Sequence, residues 1–204
     1  MTGTKRKIKV LHIFTSSSHY LSPNIKKWFK VFYMDQDCDF YVIIQDVNQK
    51  IKDRFHSLYQ DYFNVNYFKT LNELKQKSLI GKYKYLKYIA SNIDTINPDI
   101  IHIHGLYGTY QVLPVFFLKV KPKIIFHLWG SDFNTHYHNK LKNKYIFKWL
   151  TMKADMIWVN WLAMADSIKA EFPKYRHKTK TIPLGVTSEL FAPPDEKSME
   201  EMRV

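Results

Sequence analysis

At 204 residues, 46% hydrophobic and 16% aromatic, the chain has enough apolar mass for the core of one domain, which excludes disorder as the default. Its single cysteine, Cys38, excludes an intramolecular disulfide framework and suits a reducing compartment, where a lone thiol packs as a small hydrophobe. The formal charge of +13, from 31 Lys and Arg against 18 Asp and Glu, fits a solvated basic surface, an anionic membrane or nucleic acid. With neither zinc-finger spacing nor an aromatic RNA-reading motif, nucleic acid ranks last of the three and no nucleic-acid partner is expected.

The start, MTGTKRKIKVLHIF, has a basic region but too short an apolar one, interrupted by His12, for a secretion signal. Val112–Leu118, interrupted by Pro114, falls far below the ~20 residues needed to cross a bilayer. A cytoplasmic protein is expected, with the inner face of the membrane as an optional docking surface.

Lys7–Phe14 reads as a first strand and Thr15–Ser22 as a polar loop. Pro23 opens a helix with Ser22 placed to cap it, and Ile25, Trp28, Phe29 and Phe32 fall at core-facing spacing. Phe40–Ile44 is a strand, Asp46–Tyr62 is ambiguous with a helix as one reading, and Asn64–Phe68 is a third strand. The spacing from Leu71 to Ile96 predicts a helix broken or bent near Gly81, ended by Asn97–Pro98. Ile100–His104 is the next strand, and Tyr107–Val120 is a helix in which Pro114 predicts a kink or a late start. Strands at Ile124–Leu128, Met156–Val159 and Thr179–Pro183 alternate with helices at Asn139–Met152 and Leu162–Phe172, and a charged tail covers Pro193–Val204. Repeated βα units with buried strands predict an α/β fold: a Rossmann-like, doubly wound, mostly parallel sheet with helices on both faces.

In such a sheet ligands bind beyond the carboxyl ends of the strands, so the tips of Asp99–Gly105, Lys123–Asp132 and Asp155–Asn160 are where function is sought. Gly130 permits a tight turn, and Ser131 and Asp132 either hydrogen-bond a ligand or cap the next segment. The hydroxyls of the Thr15–His19 loop are able to donate to phosphate. His102 and His104, two apart on a strand, point to one face and suggest a metal-dependent hydrolase as a rival reading. One hydrolase pattern, His-x-His-x-Asp-His, would need Asp and His where Leu106 and Tyr107 stand, so polar groups satisfied within the sheet are the stronger reading, above all for His102. His104, with Gly105 behind it, has the better claim to a cleft.

The order of these pieces resembles the amino-terminal half of GT-B fold glycosyltransferases of the retaining family 4 type. The matching pieces are the strand and polar loop Lys9–Ser18, PDIIHIHG at Pro98–Gly105, the His, Gly, Ser and Asp of His127–Asp132, Ala154–Asn160, and Ile182–Val186 with Phe191. The resemblance spans about residues 7–194. The first loop departs from it, having no glycine where the family often has a pair. No two glutamates here stand seven residues apart as in the family's second, donor-binding domain.

The resemblance implies an acceptor-binding domain over residues 1–186 and an interdomain linker over 187–204, with the donor-binding domain absent. It implies a hexosyltransferase acting in surface polysaccharide or glycolipid synthesis, inactive or weak alone. His127 would take the lead catalytic role by contacting the donor sugar or its phosphate, with Ser16, Ser17, His19, His104, Gly105, Gly130, Ser131 and Asp132 binding substrate. No cofactor and no metal are implied. The sugar nucleotide is a substrate and the partner is a glycan or lipid-linked acceptor. A non-catalytic module that binds the acceptor or a partner protein is the remaining alternative.

Overall fold

The computed structural model describes residues 6–14, 37–45, 53, 56–57, 64–68, 78–106, 109–138 and 141–183. The first predicted helix, the serine loop, most of the segment from 46 to 62 and everything from 184 onward lie outside these residues. Seven strands form one sheet: β1 Ile8–Phe14, β2 Cys38–Gln45, β3 Asn64–Phe68, β4 Ile100–His104, β5 Lys123–Leu128, β6 Met156–Val159 and β7 Thr179–Thr181. Their order is β3-β2-β1-β4-β5-β6-β7, and every neighbouring pair is parallel. The strand order reverses between β1 and β4, which marks that junction as the topological switch point of a Rossmann-like sheet.

Two aspartates set the register at the amino edge. Asp99, just before β4, accepts from the backbone N–H of Lys9 on β1 at 2.9 Å, and Asp155, just before β6, accepts from Ile124 N–H on β5 at 2.9 Å. Each carboxylate thus satisfies a strand-end donor of the neighbouring strand, which explains an Asp at the head of both motifs.

The described helices are α1 Leu79–Ile96, α2 Thr109–Val112, α3 Leu141–Lys153 and α4 Leu162–Glu171. Ser78 caps α1 by accepting from Gly81 N–H at 3.0 Å, so Gly81 lies in its first turn, and residues 71–77 of the predicted helix lie outside the described residues. The helix ends at Asn97, whose left-handed φ of 51° lets its N–H reach Ile93 O. The single turn of α2 passes into a 3-10 turn at Leu113–Phe117, because Pro114 cannot donate to an α-helical ladder. The chain then leaves helical geometry as Asp94 of α1 accepts from Lys119 and Val120 N–H at 3.0 and 3.1 Å.

Alternate strand residues divide the sheet into two unlike faces. One carries Leu11, Ile13, Ile101, Ile103, Phe126 and Ile157, which form a single core with Ile89 and Ile93 of α1, Phe147 and Leu150 of α3 and Ile168 of α4. Each such side chain contributes roughly 1.5–3 kcal/mol by leaving water. The other face carries Phe14, Phe40, His12, His102, His104, His127 and Trp158, a surface of imidazoles and aromatic rings.

Candidate active site

The register lines up one transverse row on that second face. Phe14, His104, His127, Trp158 and Lys180 are consecutive Cα partners across β1, β4, β5, β6 and β7. Two residues earlier, His12 and His102 are partners across the switch point. The rings pack on one another: His104 on Phe14 at 4.2 Å, His102 on His104 at 4.0 Å, and His127 on Trp158 at 4.3 Å and 7°.

These rings are closed in. His104 and His127 are 0% exposed, and His12 and His102 are each 4% exposed. The expectation that His127 and His104 line an open cleft is therefore corrected: Trp158 and Trp129 cover the His127 ring, the latter at 4.7 Å, and Phe14 covers that of His104. Burial pushes His12 down to about 3 and His102 well below the ordinary imidazole value, the latter helped by the positive charge that His12 and His127 would bring. Both are neutral near pH 7.

His127 is nevertheless central to the rim. Its Nε2 lies 2.9 Å from Asn160 Oδ1 at the tip of β6, and its carbonyl accepts from Gly105 N–H at 2.7 Å at the tip of β4. One residue thus fixes the tips on both sides of it. Gly105 and Gly130 both have positive φ, 74° and 121°, as turns leaving a strand demand.

Asp132, expected to meet a ligand or cap a segment, does the second. Fully buried, its carboxylate accepts from the N–H groups of Trp129, Gly130 and Phe133 at 3.1, 2.8 and 3.0 Å, folding the Gly130 turn into the π-helical segment Asp132–Tyr137. Burial raises its pKa and those three donors oppose the rise. Among the described residues, the side chains that reach solvent at this rim are Ser131, Trp161 and, in part, Asn160 and Trp129. Of the expected site residues described here, Ser131 alone is exposed; Ser16, Ser17 and His19 lie outside the described residues.

His102 and His104 do share a face, and His12 joins them. The ligand atoms of the three lie within 4.8 Å of one another, and among the described residues no carboxylate or thiol belongs to the group. Among the described residues, no general base stands beside the three histidines.

A family model for Glycosyltransferase Family 4 matches residues 33–190. The chain belongs to Glycosyltransferase Family 4. No curated protein matches it by sequence. Solved structures similar to this Family 4 chain include a UDP-GlcNAc 2-epimerase from Neisseria meningitidis bound to UDP-GlcNAc, at 15% identity and TM-score 0.60, covering 97% of this chain and 51% of that one. The MnaA protein of S. aureus with UDP gives 15% and 0.59, covering 96% and 51%. A glycosyltransferase from Rickettsia africae gives 14% and 0.51, covering 98% and 49%. At these identities the likeness establishes the fold. The Family 4 chain spans about half the length of the solved structures it matches.

Sequence reasoning missed His12 and Trp161. The signal for His12 is present, since KIKVLHIF and DIIHIHG are both strands that carry histidine, but it becomes readable only once β1 and β4 are known to be neighbours.

Proposed function

We propose that this chain is the acceptor-side lobe of a retaining glycosyltransferase that draws on a nucleotide sugar and builds a surface polysaccharide or glycolipid at the cytosolic face of the membrane. The observation that carries the reading is the Family 4 match over a parallel sheet whose strand tips gather at one rim beside the β1–β4 switch point. The similarity to proteins crystallised with UDP-GlcNAc and UDP supports a sugar nucleotide as the donor.

Transfer from such a donor demands positioned groups and electrostatic support for a departing diphosphate. In this reading Ser131, Asn160 and Trp161 meet the sugar: a hydroxyl and an amide for hydrogen bonds, and an indole face for the apolar side of a ring. His127 acts beneath them as a positioning residue, holding Asn160 by its ring and Gly105 by its carbonyl. The exposed basic and apolar side of α3, with Lys144, Tyr145, Lys148 and Met152, supports contact with an anionic bilayer.

The test is transfer of labelled sugar from a panel of nucleotide sugars to membrane glycolipid of the source organism, with the protein expressed from its native gene. Incorporation with retained anomeric configuration is expected, and Trp161→Ala should lower kcat/KM about tenfold, or ~1.4 kcal/mol. Glycolipid binding without transfer would leave an acceptor-binding module. Absence of both binding and transfer would overturn the reading.

A further inference from the structure

We infer that His12, His102 and His104 form a binding site for a transition-metal ion of the zinc class, tying β1 to β4 at the switch point of the sheet. The site is carried by geometry. His12 and His102 face each other across the strand pair, and His104 follows one pleat later on the same side. The three ligand atoms already lie within 4.8 Å of one another, and His12 Nδ1 stands 2.9 Å from His104 Nε2.

Zinc–imidazole bonds of about 2.0–2.1 Å in tetrahedral geometry place ligand nitrogens about 3.3 Å apart. The close pair must therefore open by about half an ångström, and any wider pair must close by up to about 1.5 Å. Imidazole donors, with no carboxylate beside them among the described residues, select zinc, cobalt, nickel or copper over magnesium and calcium.

Proton accounting is compatible with the ion. Two neutral imidazoles in hydrogen bond share one N–H, and a metal taking the lone pair of both requires that proton to move to the donor ring's other nitrogen. That is a change of tautomer with no net release. The inference is independent of sugar transfer, because the role assigned to the ion is to hold the strands on which the rim stands.

The test uses untagged, metal-stripped protein titrated with cobalt(II). One cobalt per chain is expected, with the intense visible absorption of a tetrahedral site, displaced by one equivalent of zinc. His12→Gln and His104→Gln should each weaken binding by more than the ~10–100-fold that loss of an outer-shell partner costs. His138→Gln and His177→Gln, at exposed positions, should leave the isotherm unchanged. X-ray absorption at the zinc edge of the unaltered chain needs no variant and should count three imidazoles. Absence of stoichiometric uptake, binding that follows the exposed histidines, or fewer than three imidazoles around zinc would overturn the site.

Discussion

His12 on β1 and His104 on β4 meet ring to ring, Nδ1 to Nε2 at 2.9 Å, across the line where the sheet's strand order reverses. Both rings are buried, so removing one partner takes from the other a hydrogen bond that solvent does not readily replace, whereas removing both removes donor and acceptor together. In metal-free protein His12→Leu and His104→Leu should each cost about 1–3 kcal/mol. The double variant should cost less than their sum by about 1 kcal/mol or more. Urea unfolding of the four proteins measures the coupling, and strictly additive losses would show that the two rings do not support one another.

Much of this architecture is written in the chain because each strand is a short β-branched run with a polar stop. Predicted and observed strands agree within two residues at each end; β2 begins at Cys38 and β7 stops at Thr181, since Pro183 has no N–H to give a ladder. Helical periodicity failed where backbone chemistry overrode it. Pro114 turned a predicted helix into a 3-10 segment, and the turn after Asp132 has no apolar period to reveal it, being built from a carboxylate and three N–H groups. The depth of the His127 ring was hidden for a different cause. A strand tip tells where a residue lies along the sheet but not what stacks over it, so the burial of His127 under Trp158 and Trp129 was not legible.

Gly130 carries a φ of 121°, and a Cβ placed on it would stand 2.5 Å from Cη2 of Trp161. The indole is 43% exposed and able to swing aside, so the backbone conformation is the larger part of the cost. Gly130→Ala should destabilise by about 1–3 kcal/mol. Adding Trp161→Ala should recover only the smaller, steric share. Thermal unfolding reads the loss, and full recovery in the double variant would mean that the turn tolerates a side chain.

Asp132 serves three backbone donors at once, at 3.1, 2.8 and 3.0 Å. Asp132→Ala leaves those N–H groups to find other partners in a closed turn and should cost about 2–4 kcal/mol. Asp132→Asn keeps one acceptor oxygen and should cost roughly half as much. Hydrogen exchange at Gly130 and Phe133 checks the assignment. Protection lost in the Ala variant and partly kept in the Asn variant is the expected pattern, and equal protection in both would remove Asp132 from its capping role.

Tyr137, on the π-helical turn, donates its hydroxyl to Glu171 at the end of α4 at 2.5 Å. Burial and the Glu171 carboxylate push the phenol up to about 12. An unfolded tyrosine loses its proton near 10, so between these values the native state holds a proton that the unfolded chain has released. Stability is therefore fully present below pH 10 and is lost as pH rises toward 12, at no more than about 1.4 kcal/mol per pH unit for this group. Thirteen other tyrosines also titrate there (14 in the chain less Tyr137), so the measurement is a difference: urea midpoints from pH 8 to 12 for the native chain against Tyr137→Phe. The variant should be weaker by about 1 kcal/mol at pH 8 and should close that gap by pH 12. A gap that stays constant across the range would mean that Glu171 and the buried ring leave the phenol's ionisation untouched.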